Sequence, residues 1–248
     1  MIILSILFFI TAILYSIVGF GGGSTYLALL LIWDIPYYIF PVIALMCNII
    51  VVSGNSINYV RAGNHNFKLL MPFLVGSIPL AFYGGTLIIN KNIFEILLFL
   101  VLSIAGVLLL INNKSYEDRN LKVKKINSLI SLLIGSILGF ISGIVGIGGG
   151  IFLSPILFLL RADKPKNIAT TASLFILINS ISGVLGQLTK EDILNEIIYY
   201  LPLFLVVLIG GLFGNYLNLK IFSSRILALV TSLLVIFVAI RMGLKIFV

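Results

Sequence analysis

The stretch GFGGG occupies residues 19–23, and the stretch GIGGG occupies residues 146–150, 127 positions later. Each pentad follows an apolar run long enough for a helix and precedes a second apolar run of about ten residues. Three successive glycines interrupt a helix, because glycine adopts backbone angles that other residues avoid. The two pentads therefore predict a glycine-rich broken or re-entrant helix in each half of the chain.

Further residues recur in the two halves at nearly the same separation. Ser53 and Ser182 are 129 positions apart, and each is followed by glycine. Gly84 and Gly214 are 130 positions apart. The separation changes only from 127 to 130 across the whole unit, which indicates that one unit has been duplicated.

The composition indicates that lipid surrounds most of this chain. Hydrophobic residues make up 60% of the 248 positions and charged residues 10%, whereas a soluble domain carries about 25% charged residues. A helix that crosses a membrane needs ~20 mostly apolar residues. We expect an all-α polytopic membrane protein with about eight hydrophobic segments in two four-segment repeats. The segments lie near residues 2–18, 38–60, 67–89, 93–111, 126–145, 167–187, 195–218 and 225–247, and the short pieces 24–33 and 151–160 follow the glycine loops.

The most charged stretch divides the chain. Seven Lys, Arg, Asp and Glu residues lie between positions 112 and 125. We therefore expect a first transmembrane repeat over residues 1–111, a charged linker over 112–125 and a second transmembrane repeat over 126–248.

The charges and the reactive side chains argue against several functions. The formal net charge of +8 does not indicate a nucleic-acid partner here, because Lys and Arg in short loops orient membrane helices and face anionic headgroups. One cysteine and one histidine cannot build a Cys/His metal site or a disulfide. No Ser-His-Asp or Cys-His constellation is visible, so we predict no enzyme activity, no metal and no cofactor.

Two membrane topologies compete. If all eight segments cross the membrane, ten Lys and Arg residues lie on one side and six on the other. If segments one and five and their short followers are re-entrant, the two halves are inverted and the counts are twelve and four. The excess of cations on the cytoplasmic side favours the inverted arrangement. The lengths of segments one and five, which almost suffice to cross a membrane, favour the other.

The glycine loops are the first part of a candidate substrate site. A short helix begins after each loop, at Ser24 and at Ile151, and the free N–H groups and positive dipole end of such a helix attract anions. Tight helix crossing is the alternative role of the glycines. The candidate substrate-binding residues of the loops are Gly21, Gly22, Gly23, Ser24, Gly148, Gly149 and Gly150.

Neutral polar residues in the second segment of each half are the second part of this candidate site. Such side chains should face the interior of the bundle, where they either line a pathway for a substrate or tie helices together. The candidates are Asn48, Asn55, Thr170, Thr171, Ser173 and Asn179.

Small residues four positions apart predict close helix packing. They let the backbone of a neighbouring helix approach. Two such series occur, one formed by Ser131, Gly135, Gly139 and Gly143 and the other by Gly210 and Gly214.

The paired loops and the stretches around them resemble the TauE/SafE-type sulfite exporter family over nearly the whole chain. The stretches are IFLSPILFLL after the second loop, IATTASLFILINSISGVLGQL further on, and NSINYVRAGN and PFLVGSIPLAFYGG in the first half. The first loop departs from the pattern, because it continues STYLALL and lacks a counterpart of Pro155.

The resemblance implies a secondary transporter of small sulfur-containing anions, such as sulfite or an organosulfonate, that usually exports them across a bacterial inner (plasma) membrane. The residues themselves indicate only a small anion bound by neutral donors. The leading hypothesis is a carrier that works by alternating access around a midplane site. An anion channel with the same site is the alternative. The expected partners are the anion and the lipid bilayer, and a homodimer stays open.

The inverted topology makes a prediction about labelling. With the twelve cations inside, both termini face the outside and the linker faces the cytoplasm. A cysteine introduced at Ser115 should react with an impermeant maleimide only from the cytoplasmic side, and a terminal cysteine only from outside. Termini that react only from the cytoplasm would favour eight crossings.

Overall fold

The computed structural model describes residues 2–33, 35–111, 123–190 and 193–217, and five single positions beyond them. The described part is helical and contains no β-strand. The helices are α1 Ile2–Val18, α2 Gly23–Ile32, α3 Phe40–Arg61, α4 Phe67–Thr86, α5 Lys91–Ile111, α6 Ser128–Val145, α7 Gly150–Leu159, α8 Pro165–Gln187, α9 Ile193–Ile197 and α10 Leu201–Leu217. Short 3-10 turns, Tyr37–Ile39 and Ile198–Tyr200, lead into α3 and α10.

Six of these described stretches are long and apolar enough to cross a membrane, which makes the chain a multi-pass membrane protein. They are Tyr37–Arg61, Phe67–Thr86, Lys91–Leu108, Ser128–Val145, Lys166–Gln187 and Asn195–Leu217. The apolar parts of α1, α2 and α7 are shorter. Most of the predicted eighth segment, 225–247, and residues 112–122 of the predicted linker lie outside the described residues.

One predicted segment boundary was wrong. The third segment ends at Thr86 rather than at residue 89, because Asn90 accepts a hydrogen bond from the Ile93 N–H at 2.9 Å and starts the next helix. The seventh segment, predicted near 195–218, matches the described span Asn195–Leu217, within which the chain passes from α9 through a 3-10 turn into α10. Pro202 lies in the first turn of α10, where its missing N–H is tolerated, and inside one continuous helix it would remove a hydrogen bond.

Helices α1, α3 and α10 run in the same direction. A Cβ atom on Gly210 would lie 2.7 Å from the carbonyl oxygen of Phe9, and one on Gly214 would lie 2.5 Å from that of Ile13. The contact moves four residues forward along both α10 and α1, so these two helices are parallel. Along α3 the contacts also advance together with α10, from Val51 beside Gly211 to Gly54 beside Asn215. We call the side where α3 begins the Tyr38 face and the side where it ends the Arg61 face.

Helices α4, α6 and α8 run in the opposite direction. The Ser182 hydroxyl donates to the Ile78 carbonyl at 2.6 Å, and Gly186 packs on Phe82, so α8 is parallel to α4. Helix α8 is antiparallel to α3. Gly183, late in α8, packs beside Leu45, early in α3, whereas Ser173, early in α8, bonds Ser56, late in α3. Helix α6 follows α4, with Leu132 beside Gly76 and Phe140 beside Gly84.

These directions show what the glycine loops do to the path of the chain. Helices α1 and α3 both begin at the Tyr38 face, and the chain between them turns at residues 19–22 and returns through α2. Helices α6 and α8 both begin at the Arg61 face, and that chain turns at residues 146–149 and returns through α7. Each loop thus lies inside the bundle, at the tip of a helical hairpin that enters and leaves by one face.

The predicted series of small residues on α6 packs directly against the backbone of α4. Cβ atoms added to Gly135, Gly139 and Gly143 would overlap the carbonyl oxygens of Phe73, Ser77 and Ala81. Gly210 and Gly214 make the corresponding approach of α10 to α1. The prediction that these series let a neighbouring backbone approach is confirmed. Inside a bilayer the lipid tails are as apolar as the helices, so the hydrophobic effect does not drive helices together, and such van der Waals contact is a main source of their association.

Two glycines of α10 give a matched test of this packing. In Gly214→Ala the new methyl group would lie 2.5 Å from the Ile13 carbonyl oxygen, whereas in Gly211→Ala its nearest neighbour is Val51 Cα at 3.6 Å. We expect Gly214→Ala to lower the free energy of unfolding by about 1–3 kcal/mol through overpacking, and Gly211→Ala to leave it unchanged or raised. Thermal unfolding of both purified variants in detergent measures the difference. Equal losses would show that contact with α1 is not the cause.

Candidate functional site

The glycine loops adopt backbone angles that only glycine tolerates well. Gly22 has φ +87° and caps α2, and Gly149 has φ +74° and caps α7. The short helices begin at Gly23 and Gly150, one residue before the predicted starts. The Gly22 carbonyl accepts from the N–H groups of Thr25 and Tyr26. The N–H groups of Gly23 and of the residue after it therefore lie at the open, positive end of α2.

Asn48 joins the two loops in the middle of α3. Its side chain is fully buried, and Nδ2 donates to the Ile147 carbonyl oxygen at 3.2 Å. A Cβ atom added to Gly23 or to Gly148 would lie 2.8 Å from the same Nδ2 atom. Among the described residues Asn48 Oδ1 finds no hydrogen-bond partner, and it packs against Gly21. One amide from the first half thus touches both loops and keeps an unused acceptor in a buried position.

A small cavity lies beside this contact. Its volume is about 10 Å³, which is about the space for one water molecule. One wall is polar, with the loop backbone and a hydroxyl of α2, and the other is apolar. The lining residues are Tyr15, Phe20, Gly21, Gly22, Gly23, Ser24, Ile147, Ile151 and Ile176.

Tyr15 belongs to this site, although the sequence analysis did not include it. Its hydroxyl shares a hydrogen bond with Thr25 Oγ1 at 2.6 Å and lies 3.5 Å from Ser24 Oγ. A Cβ atom on Gly22 would lie 3.1 Å from the Tyr15 ring. A buried phenol one helical turn before a glycine loop is the signal in the sequence that could have identified it.

The second loop is packed among apolar side chains. A Cβ atom on Gly149 would lie 2.9 Å from the Phe175 ring, and Gly148 approaches both Ile176 and the Ser180 hydroxyl. This loop contributes Ile147 and the first turn of α7 to the cavity, through Ile151. The two loops meet at Asn48, but the polar lining of the cavity comes from the first loop.

The remaining predicted site residues are buried but do not line this cavity. Ser173 bonds Ser56 at 3.0 Å and so links α3 to α8. Thr170 and Asn179 each donate to a carbonyl of their own helix. Asn55 and Thr171 are buried in α3 and α8. The hydrogen bonds of Ser173 fit the role of tying helices together, which the sequence analysis left open.

A second cavity, of about 60 Å³, opens at the Tyr38 face. Lys190, just beyond α8, is its only charged lining residue in the described structure, and burial lowers the pKa of this lysine to about 8. Its Nζ donates to Gln187 Oε1 at 2.8 Å. Pro41 and Ile144 form the wall towards the loops. Among the described residues no group of three His, Cys, Asp or Glu side chains is placed to hold a metal ion.

Comparison with known proteins gives a family over nearly the whole chain. The model of the family "Sulfite exporter TauE/SafE" matches residues 4–242. The chain is 25% identical over 233 residues to the probable membrane transporter protein y4hK of Sinorhizobium fredii, covering 93% of each. It is 29% identical over 231 residues to the probable membrane transporter protein MJ0441 of Methanocaldococcus jannaschii, covering 88% of this chain and 85% of the relative.

A third relative and the solved structures complete the comparison. The chain is 21% identical over 260 residues to the probable membrane transporter protein YunE of Bacillus subtilis, covering 95% of this chain and 94% of the relative. No solved structure matches the chain.

The contact between the loops can be tested with two buried amides. Asn48→Leu removes the hydrogen bond to the Ile147 carbonyl and leaves that carbonyl buried without its partner, which should cost about 1–3 kcal/mol of folding free energy. Asn179→Leu removes only a bond to its own helix at Phe175 and should cost less. Unfolding midpoints of the two purified variants measure the difference. A larger loss in Asn179→Leu would contradict the role given to Asn48.

Proposed function

The chain belongs to the sulfite exporter TauE/SafE family, and from this premise we propose that it is a secondary transporter of small sulfur-containing anions. The proposed substrates are sulfite, an organosulfonate or a similar oxyanion, and the proposed direction is outward across a bacterial inner membrane. The family and the probable membrane transporters among its relatives support transport. The observation that carries the proposal is the meeting of the two glycine loops at Asn48, beside a small cavity whose polar lining comes from the first loop.

The first loop has the donors that an anion needs. The N–H groups of Gly23 and Ser24 lie at the positive end of α2 and border the cavity. The hydroxyls of Ser24 and Tyr15 stand beside them. Neutral donors hold an anion by hydrogen bonds without the strong attraction of a buried cation, so the substrate can leave again. The apolar wall at Ile151 and Ile176 would contact the rest of an organic substrate.

The proposed architecture is a pair of inverted repeats, each with one re-entrant hairpin. Helix α3 of the first half is antiparallel to its counterpart α8, and the hairpins enter from opposite faces. Of the nine described Lys and Arg residues, seven lie at the Arg61 face and two, Lys91 and Lys190, at the Tyr38 face. The positive-inside rule then makes the Arg61 face cytoplasmic.

The size of the cavity favours a carrier over a channel. A space for about one water molecule cannot admit an oxyanion unless the walls move apart. Movement of the two halves about the loop contact would open the site to one face at a time. The alternative, an anion channel with the same site, would give flux without counterflow. Uptake of labelled sulfite into proteoliposomes preloaded with unlabelled sulfite distinguishes the two.

Substrate binding at the first loop makes a sharper prediction. Gly22→Val should abolish anion binding, because the new side chain would meet the rings of Tyr15 and Tyr26 at 3.1 Å and fill the cavity. Wild-type protein should show a thermal shift with sulfite that corresponds to RT ln(1 + [L]/Kd), roughly 2.7 kcal/mol at a hundredfold excess over Kd. The folded Gly22→Val protein should show no shift.

The control for this experiment is Gly63→Val. Gly63 also has a positive φ, of +72°, but no atom lies within 4 Å of the position of an added Cβ atom. This variant carries the same backbone strain outside the site, so it should keep the sulfite-dependent shift. A shift that persists in folded Gly22→Val would falsify the claim that the first loop binds the anion.

A further inference from the structure

A buried carboxylate ties the two halves together at the Arg61 face. Asp163 lies in the loop between α7 and α8, and its side chain is only 7% exposed. Asp163 Oδ2 accepts from Asn66 Nδ2 at 2.6 Å, and Oδ1 accepts from Asn167 Nδ2 at 3.0 Å and from the Lys164 N–H at 2.7 Å. Asn66 is also the residue that caps α4. The end of the second hairpin, where the chain leaves it at the Arg61 face, is thus fastened to the start of a spanning helix of the first half.

A second tie joins the halves at the Tyr38 face. The Tyr38 hydroxyl, in the turn before α3, donates to Glu196 Oε1 at 2.5 Å. Glu196 lies in α9, just before α10. Here a residue that follows the first hairpin is fastened to the chain that leads into a spanning helix of the second half. Both partners lie at the surface, in contrast to Asp163.

The two ties occupy equivalent places in the repeated sequence. Tyr38 and Asn167 are 129 positions apart, and Asn66 and Glu196 are 130 positions apart. These are the separations that relate the two halves elsewhere in the chain. Each tie therefore joins the chain between a hairpin and the next helix of one half to a residue at the start of the third segment of the other half. The two contacts are related but not identical, because Tyr38 itself donates to Glu196, whereas its counterpart Asn167 donates to Asp163, which in turn accepts from Asn66.

We propose that these two ties are the gates of the transporter, Asp163 with Asn66 closing the Arg61 face and Tyr38 with Glu196 closing the Tyr38 face. The gating role rests on the proposed alternating-access function. Each tie fastens a re-entrant hairpin, and so a glycine loop, to the opposite half. With both ties made, the central cavity holds only about 10 Å³. Release of one tie frees one hairpin and opens one face.

The ties differ in strength, and this sets the direction in which the closed protein opens. Asp163 is buried, and of its three hydrogen bonds from described residues the one from Asn66 crosses between the halves, whereas the Tyr38–Glu196 hydrogen bond is exposed to solvent. Hydrogen bonds to a buried charge are stronger than those between exposed groups. The Tyr38 face therefore opens more readily, and loss of Asp163 should reverse this preference.

The experiment measures access to the cavity from each side. In a Cys47→Ala background, Ser24→Cys places one thiol on the cavity wall. An impermeant methanethiosulfonate is applied to right-side-out and inside-out membrane vesicles. Asp163→Ala should raise the labelling rate from the Arg61 face roughly tenfold and lower it from the other, since lost hydrogen bonds to a charged group shift an equilibrium by about that factor. Tyr38→Phe should raise labelling from the Tyr38 face roughly threefold.

Matched neighbours provide the controls. Lys164→Ala removes an exposed side chain beside Asp163 but keeps the backbone N–H that Asp163 accepts from. Tyr37→Phe removes the hydroxyl next to Tyr38 in the same turn. Both controls should label like the parent. Gate variants that label like their controls from both faces overturn the proposal.

A double variant that exchanges the two side chains shows whether an effect of Asp163→Ala comes from loss of the tie or from misfolding. The double variant Asn66→Asp with Asp163→Asn keeps one carboxylate and one amide in the tie, and its labelling should return towards the parent rate. If Asp163→Ala does not fold, Asp163→Asn alone should show a smaller rise from the Arg61 face, and no rise there overturns the proposal. Labelling needs no transported substrate. Altered labelling without sulfite flux therefore refutes the proposed substrate, and sulfite flux without altered labelling refutes the gates.

Discussion

The structure depends on one constraint, which is that backbone polar groups inside a bilayer must be satisfied by the protein. Two helical hairpins end in glycine loops within the bundle, where the helical hydrogen bonds stop. The Asn48 amide donates to the Ile147 carbonyl of the second loop and lies against Gly21 and Gly23 of the first. Because one side chain serves both loops, the interrupted helices are held at the same depth. The site is a consequence of that arrangement.

Close backbone packing is what allows the loops to meet. Helix α6 rests on the carbonyl oxygens of α4, and α10 rests in the same way on α1. Each contact joins one half to the other, so neither half forms its bundle alone.

The chemistry of the central site fits an anion that is bound and released. The lining supplies peptide N–H groups and hydroxyls on one wall and apolar side chains on the other, with no charged residue among those that the structure describes there. Charged side chains lie at the two faces, with Lys190 at one and Asp163 at the other. The interior lining that the structure describes is therefore neutral, which is the basis of the proposed substrate site. The contacts at the two faces are the proposed gates.

The sequence by itself determined the membrane class, the helices, the glycine turns and the close-packed series, because apolar length, glycine and four-residue spacing act locally along one chain. It also placed Asn48 beside the loops. Only the tertiary structure decided that Tyr15 lines the cavity, that Ser173 ties two helices, and that Asp163 is buried. These depend on which residues of distant segments meet, such as Asp163 with Asn66. Sequence spacing does not encode that meeting, because it is set by how the two halves pack across each other.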